Sequence, residues 1–345
     1  MAGFWRKVLQ VSGVATEVLG LHAVDSCPRL QVLILPGNPG SAQYYVPQME
    51  LLHQSLLGQA DIMSITHAGH DSLIHHHEKS DKSLWSLSDQ IQHTANFLRQ
   101  YMLLPGRPPL AIAAHSIGAY IAVHAVHEVE RDDGYLMGFH RPPGPPIVKV
   151  ISMFPFFWLD KSQMRIRLLS FAAAHYEVMG LIAQVLSLLP QWVRLAIIRY
   201  FAKGNMDPEA ADTTQRLLSR SSVRNYFYMA HTEFRDLDRP PPLELLRSLG
   251  RRHCVLGCPE DIWMTSDQYQ DLVRQIPGLQ TSWMKDVRHA YCTSQSQCMK
   301  VTETLVEILA QEPTIMTYLP RKEEVDSKQI LSSETHALLK HGSAL

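Results

Sequence analysis

Net charge and cysteine are both scarce in this sequence, and each deficit excludes a class of protein. The 32 lysines and arginines are balanced by 33 aspartates and glutamates, which leaves a formal charge of −1. Proteins that hold nucleic acid need excess positive charge to neutralise phosphates, so the sequence predicts no nucleic-acid partner. Hydrophobic residues make up 46% of the 345, which is enough for a sizeable core and excludes a disordered chain.

The five cysteines form neither a disulfide framework nor a recognisable metal site. Cys254 and Cys258 lie close together, but no second Cys or His pair follows at zinc-ribbon spacing. We therefore predict reduced thiols, a protein that faces the cytosol, and no metal. His67 and His70, like the run His75–His77, lack accompanying carboxylates, and we expect these histidines to lie in solvated loops.

Short apolar runs alternate with helical patterns over much of the chain. Runs such as Leu30–Leu35 are typical of parallel strands buried on both faces, and the alternation predicts a mostly parallel α/β sheet. A hairpin of Lys7–Val11 and Thr16–Ala23 precedes it. The predicted strands are Leu30–Leu35, Asp61–Thr66, Pro109–Ala114, Ile147–Phe157, His253–Gly257 and Gln280–Lys285; the predicted helices are Leu84–Met102 after an N-cap at Ser83, Ile117–Val129, Ser266–Ile276 and Ser296–Gln311.

Between about Leu159 and Asp238 the pattern is helical only. This block lies between two strands of one sheet, so we interpret it as an inserted helical cap within a single domain over residues 1–312. The Pro- and Gly-rich Arg131–Pro146 is expected to be a surface loop. Residues 313–345 are polar and are expected to form a mobile tail.

The segment Leu110–Gly118 (LAIAAHSIG) puts a serine between a buried strand and a helix. So tight a turn strains Ser116 and lifts its Oγ above the sheet edge, as in the nucleophile elbow of the α/β-hydrolase fold. Small residues must stand two positions before and after it. Gly118 meets that need, and Ala114 stands where the usual motif has glycine. A helix N-cap serine without chemistry is the alternative, and His115 is interpreted as structural.

A serine hydroxyl needs a base, and this fold orders the residues as serine, acid and histidine along the chain. Glu260 and Asp261 follow the predicted strand His253–Gly257, and His289 follows the next strand. Carboxyl ends of neighbouring parallel strands meet at one sheet edge, where sites of such folds lie. We predict that Asp261 orients His289 and that His289 takes the serine proton, with Glu260 as the alternative acid.

The loop after Leu30–Leu35 is a candidate oxyanion hole. Its sequence, Leu35–Gly40, contains two glycines that permit close backbone approach and two prolines that cannot donate a hydrogen bond. We predict that the N–H groups of Asn38 and of Ile117, the residue after the serine, bind the oxyanion. An ordinary Pro/Gly turn is the alternative.

Five segments together resemble the lipid droplet-associated hydrolases. They occur in the family's order: LPGNPGSAQYYVP (35–47), SITHAGH (64–70), AHSIGAYIA (114–122), EDIW (260–263) and RHAY (288–291). The resemblance covers about residues 30–310 and implies an α/β-hydrolase fold with a lipid-seated cap and a cofactor-free serine esterase with weak action on sterol esters. It also implies Ser116 as nucleophile, Asp261 as acid and His289 as base. The family has glycine where Ala114 stands, and the cap shares little sequence with it.

The cap sequence also indicates contact with lipid. Leu168–Val193 carries one formal charge, Glu177, and its longest uncharged stretch is 16 residues, short of the roughly 20 that span a bilayer. Basic and aromatic residues flank it, which suits a helix or hairpin lying in a lipid surface. Cap helices packed on the sheet are the alternative. The predicted lipid contacts are Leu181, Ile182, Leu188, Leu189 and Trp192.

The triad and cap patterns predict a serine hydrolase of lipid esters at a lipid surface. The resemblance implies sterol esters as substrates and the cytosolic face of lipid droplets and the endoplasmic reticulum as the location. Two alternatives use the same residues differently. One is a droplet-surface interaction protein with weak or vestigial esterase activity. The other is an acyltransferase, which forms the same acyl-enzyme and passes the acyl group to an alcohol.

Overall fold

The computed structural model describes residues 3–24, 27–71, 84–132, 146–312 and 315, and within them eight strands form one sheet. The strand order is β1-β2-β4-β3-β5-β6-β7-β8, antiparallel at β1/β2 and β2/β4 and parallel elsewhere. The strands are β1 (Phe4–Val11), β2 (Val14–Leu21), β3 (Leu30–Leu35), β4 (Ala60–Ile65), β5 (Leu110–His115), β6 (Ile147–Met153), β7 (His253–Gly257) and β8 (Gln280–Trp283). The predicted opening hairpin and mostly parallel sheet are confirmed.

Helices cover both faces of the sheet. They are α1 (Val46–Ser55), α2 (Leu87–Phe97), α3 (Ile117–Asp132), α4 (Met164–Ala174), α5 (Tyr176–Ser187), α6 (Gln191–Ala202), α7 (Pro208–Arg216), α8 (Arg220–Asp236), α9 (Leu243–Ser248), α10 (Ser266–Gln275) and α11 (Gln295–Ala310). A short π-helical turn, Leu98–Met102, extends α2 to the predicted end.

The side chains of β3 show why the central strands are almost wholly apolar. Because alternate residues point to opposite faces, Val32 and Ile34 pack with α1 and α11, whereas Leu33 and Leu35 pack with α2 and α3. Each face therefore has its own apolar core, and both cores fix the strand ends that carry the candidate site.

Several predicted boundaries are wrong, and two of them have a clear local cause. Strand β6 ends at Met153 rather than Phe157, because Phe154 has a φ of +49° and turns the chain out of the sheet. Helix α2 begins at Leu87, after a capping box in which Ser86 and Asp89 bond each other's backbone N–H groups. Ser83, residues 133–145 of the predicted loop, and the predicted tail apart from Ile315 lie outside the described residues.

The segment 159–238, here called the cap, contains helices α4 to α8 between β6 and β7. Met229 and Phe234 of α8 pack in one apolar cluster with Ile117 and Ile121 of α3, so α8 joins the cap to the sheet domain. The outer helices α4, α5 and α6 instead expose large apolar side chains. Within the described residues no single helix is long and apolar enough to cross a membrane; α4 and α5 meet that test only as a pair, bent by 82°.

Candidate active site

Ser116 lies in the tight turn between β5 and α3. Its φ is +56°, its N–H donates to the Met153 carbonyl at 3.0 Å, and its carbonyl accepts from the N–H groups of Ala119 and Phe156. A Cβ on Gly118 would lie 2.2 Å from the Pro36 carbonyl oxygen, which explains why glycine stands there. Ala114 is fully buried, and its methyl group packs in the core beneath the turn. The departure from the usual glycine therefore leaves the elbow geometry intact.

The structure brings together the three side chains predicted for catalysis. His289 Nε2 lies 2.9 Å from Ser116 Oγ, and His289 Nδ1 lies 2.9 Å from Asp261 Oδ2. With a neutral ring, Nδ1–H donates to the carboxylate and Nε2 accepts from the serine hydroxyl. This is the arrangement in which a histidine can remove a serine proton.

Of the two candidate acids, Asp261 is the one that contacts the histidine. Its side chain is buried, and Oδ1 accepts the N–H groups of Trp263 at 2.8 Å and Met264 at 3.4 Å. These two bonds fix the carboxylate plane and leave Oδ2 for His289. Glu260 has a φ of +58° and is exposed.

The two predicted oxyanion donors lie beside the serine. Asn38 lines the same cavity as Ser116, and a Cβ on its neighbour Gly37 would come within 2.9 Å of Ser116 Cβ. Within the described residues the Asn38 N–H has no protein acceptor. Ile117 is the first residue of α3, where an N–H has no intrahelical acceptor either. Neither N–H group therefore has a protein acceptor among the described residues.

Two histidines from the loop after β4 contact residues 35–40, here called the oxyanion loop because it contains the candidate donor Asn38, and the expectation that these histidines are solvated is wrong. His67 and His70 are buried. His67 Nε2 lies 3.1 Å from the Pro36 carbonyl oxygen, and His70 Nδ1 accepts the Gly40 N–H at 2.9 Å. Burial lowers the pKa of His67 to about 3, which keeps the ring neutral.

These histidines acquire their role through the sheet order, because β4 pairs with β3 and the loops after both strands meet. The only sequence signal for them was their position directly after a predicted buried strand, which does not reveal which loop lies beside them. Among the described residues, no three His, Cys, Asp or Glu side chains come close enough to hold a metal ion. The run His75–His77 lies outside those residues.

His115 connects the oxyanion loop to the backbone of His289. Its Nε2–H donates to the His289 carbonyl at 2.8 Å, because a carbonyl can only accept. Burial keeps the pKa of His115 well below its usual range, so the ring is neutral and Nδ1 accepts from the Tyr45 hydroxyl at 2.7 Å. The Tyr45 oxygen in turn accepts the Gly37 N–H at 3.1 Å. This series of hydrogen bonds, in which each group donates to the next, agrees with a structural role for His115.

Replacing Tyr45 by Phe breaks that series of hydrogen bonds without removing the ring. Two buried polar groups, the Gly37 N–H and His115 Nδ1, lose their partner, and each such loss costs about 1–3 kcal/mol. We expect the unfolding free energy of Tyr45→Phe to fall by at least about 1 kcal/mol in urea denaturation. Tyr200→Phe, which alters an exposed tyrosine, is the control. Equal unfolding free energies of the two variants would contradict this series of hydrogen bonds.

Ser116 and His289 open into a cavity of about 480 Å³ between the sheet domain and the cap. A volume of that size accommodates a small-molecule ligand. Most of the lining surface is apolar, and Glu233 of α8 is one of the polar side chains on it. The apolar lining residues include Phe156, Leu169, Phe227, Ala230, Phe234 and Trp263.

Comparisons with known proteins identify the family and the fold of the chain. Residues 28–292 match the family model described as lipid-droplet associated hydrolase. The lipid droplet-associated hydrolases of Gallus gallus and Homo sapiens are 25% and 23% identical over 284 and 285 residues, and each alignment covers 79% of this chain and 82% of the relative. The enol-lactonase from Burkholderia xenovorans LB400 has the same fold, with a TM-score of 0.59 at 13% identity over 88% of this chain and 100% of that one. Because the family model matches most of the chain, the protein belongs to the lipid-droplet associated hydrolases and has the α/β-hydrolase fold.

Proposed function

We propose that the protein is a cofactor-free serine esterase that cleaves ester bonds of lipids at a lipid droplet surface. The observation that carries this proposal is the continuous hydrogen-bonded set of Asp261, His289 and Ser116 at the floor of an apolar cavity. Such a set activates a hydroxyl, and an apolar lining favours a hydrocarbon-rich ester over a polar one.

In the proposed reaction, Ser116 Oγ attacks the ester carbonyl carbon while His289 Nε2 accepts the hydroxyl proton. The carbonyl oxygen becomes an oxyanion and accepts hydrogen bonds from the Asn38 and Ile117 N–H groups. The intermediate then expels the alcohol, which takes the proton from His289, and leaves an acyl group on Ser116. Water, deprotonated by His289, attacks that acyl-enzyme and releases the carboxylic acid.

The exposed apolar side chains of α4, α5 and α6 support a location on lipid. Leu181, Ile182 and Leu188 are 47%, 46% and 81% exposed, and Trp192 is 73% exposed. Leu189 is half-buried, so it contributes less to this surface than predicted. Exposed apolar clusters of this kind mark interaction or membrane surfaces. The names of the chicken and human relatives support a location on lipid droplets. We extend the proposal to the cytosolic face of the endoplasmic reticulum.

Labelling with a fluorophosphonate probe tests the nucleophile. The probe phosphonylates an activated serine, so we expect wild-type protein to be labelled on the peptide that contains Ser116 and Ser116→Ala to remain unlabelled. Ser294→Ala, which alters a serine of the loop after β8, is the matched control and should label like wild type. Equal labelling of wild type and Ser116→Ala would reject Ser116 as nucleophile.

A substrate panel then separates the remaining functions. We expect the purified protein to hydrolyse members of a panel of sterol esters, glycerides and short soluble esters, with Ser116→Ala as the inactive control. An interaction protein with a vestigial site would instead bind droplets equally well as wild type and as Ser116→Ala and would turn over none of the panel. Formation of a new ester when an alcohol is added would indicate acyl transfer.

A further inference from the structure

Glu233 of the cap is a buried carboxyl group bound directly to the oxyanion loop. Its side chain is 3% exposed, and Oε1 accepts a hydrogen bond from Asn38 Nδ2 at 3.0 Å. The Tyr226 carbonyl, about two turns earlier on α8, accepts from the same Nδ2 at 3.0 Å. Both acceptors that hold the Asn38 side chain therefore come from one cap helix.

No cation balances this carboxyl group among the described residues, because none of their ion pairs includes Glu233. On α8 itself, Arg235 is exposed and pairs with Asp236, and Arg224 pairs with Glu177 of α5. Burial raises the pKa of Glu233 to about 8, and the Asn38 bond opposes that rise only in part. The other titratable groups that line its cavity are Tyr44, Tyr45, His115, Tyr226, His289 and Cys292.

Most of those neighbours are neutral near pH 8 and so leave Glu233 as the group that changes charge. Burial keeps the pKa of His115 well below its usual range and raises the pKa of each of the three tyrosines. It also raises the pKa of Cys292 to about 12. His289 is the proposed base.

We propose that Glu233 is a positioning residue of the oxyanion hole, through which the cap fixes Asn38 and thereby aims the Asn38 N–H at the developing oxyanion. This rests on the proposed esterase function. The carboxyl group serves best when protonated, since an ionised Glu233 would add a negative charge to a cavity in which the transition state already develops one.

Glu233→Gln separates position from charge, because glutamine keeps the acceptor for Asn38 and cannot ionise. At pH 7 we expect its kcat on a short soluble ester to stay within about threefold of wild type. Above pH 8 the wild-type kcat should fall while that of Glu233→Gln should not.

Glu233→Leu, which removes the acceptor, should lower kcat at pH 7 by about tenfold, with little change in KM. This loss is smaller than the 10²–10³-fold loss expected when a whole oxyanion donor is removed. Glu244→Gln, an exposed glutamate on α9, is the control and should keep the wild-type profile.

Stability provides a readout that does not depend on activity. A group whose pKa rises from 4.5 to about 8 on folding binds its proton more tightly in the folded state, so the unfolding free energy falls as pH rises through that window. We expect the midpoint of thermal unfolding to fall more between pH 6 and pH 9 in wild type than in Glu233→Gln. Identical alkaline limbs of kcat in wild type and Glu233→Gln would overturn the proposal. If the protein neither labels at Ser116 nor hydrolyses esters, the proposed esterase function is rejected. In that case the unfolding measurement still tests Glu233, because an equal fall of the midpoint with pH in wild type and Glu233→Gln would overturn the Glu233 inference as well.

Discussion

Asp261→Asn is expected to lower kcat by about 10⁴-fold, the loss seen when the acid of a serine triad becomes an amide. Asparagine can still accept the N–H groups of Trp263 and Met264 through Oδ1, so the loop should keep its shape. Its Nδ2 would then face His289 Nδ1, at the position where Oδ2 now accepts. A donor there stabilises the ring with its proton on Nε2, and that ring cannot accept the Ser116 proton.

The rival acid supplies the matched control. Glu260→Gln makes the same carboxylate-to-amide change one residue earlier, on an exposed side chain, and we expect its kcat to stay near wild type. Steady-state hydrolysis of a short soluble ester by both variants, with thermal unfolding to verify folding, decides between them. A large loss in Glu260→Gln with a small loss in Asp261→Asn would assign the acid to Glu260 and contradict the geometry described above.

The sheet and the candidate triad were predictable because their signals are local or follow from chain order. Leu30–Leu35 is a strand with the bounds that its apolar run predicts, since a strand buried on both faces tolerates few polar residues. The serine is marked by a strand, a helix and small flanking residues within nine positions. The acid and the histidine follow successive strands, and parallel pairing of β7 with β8 brings their loops together.

The supporting residues escaped prediction because their partners are distant in sequence. Asn38 and Glu233 are 195 positions apart, and His115 reaches the carbonyl of a residue 174 positions later. Nothing near Glu233 in sequence distinguishes it from the exposed acids that helices commonly carry. Its burial follows from the packing of α8 over the oxyanion loop, which depends on how the whole cap folds back onto the sheet domain.

The cap divides into an inner and an outer part, and the two interpretations of its sequence apply to different parts. Helix α8 is a packed lid, since Met229 and Phe234 lie in the core with α3. Helix α5 packs on α8 at Gly180, where a Cβ would approach Arg224 Cβ to 3.1 Å, and turns its other side outward. Each interpretation therefore describes part of the cap, and the outward apolar face is the part available to lipid.

Replacing four side chains of that outward face by serine is expected to release the protein from droplets. Full burial of one such side chain contributes about 1.5–3 kcal/mol, so half-insertion of four contributes at least about 3 kcal/mol, or a partition change of over a hundredfold. The variant combines Leu181→Ser, Ile182→Ser, Val185→Ser and Leu188→Ser; Val185 is included because it is 64% exposed, whereas Leu189 is half-buried.

Flotation with artificial droplets, phospholipid over triglyceride, measures the bound fraction of this variant. The matched control replaces four exposed apolar residues away from the cap by serine: Val8, Val24, Val273 and Met299. The control should float like wild type, and both variants should still label at Ser116, which shows that the elbow has folded. If the cap variant floats as well as the control, attachment does not depend on this face, because the loss of four inserted side chains could not leave the partition unchanged.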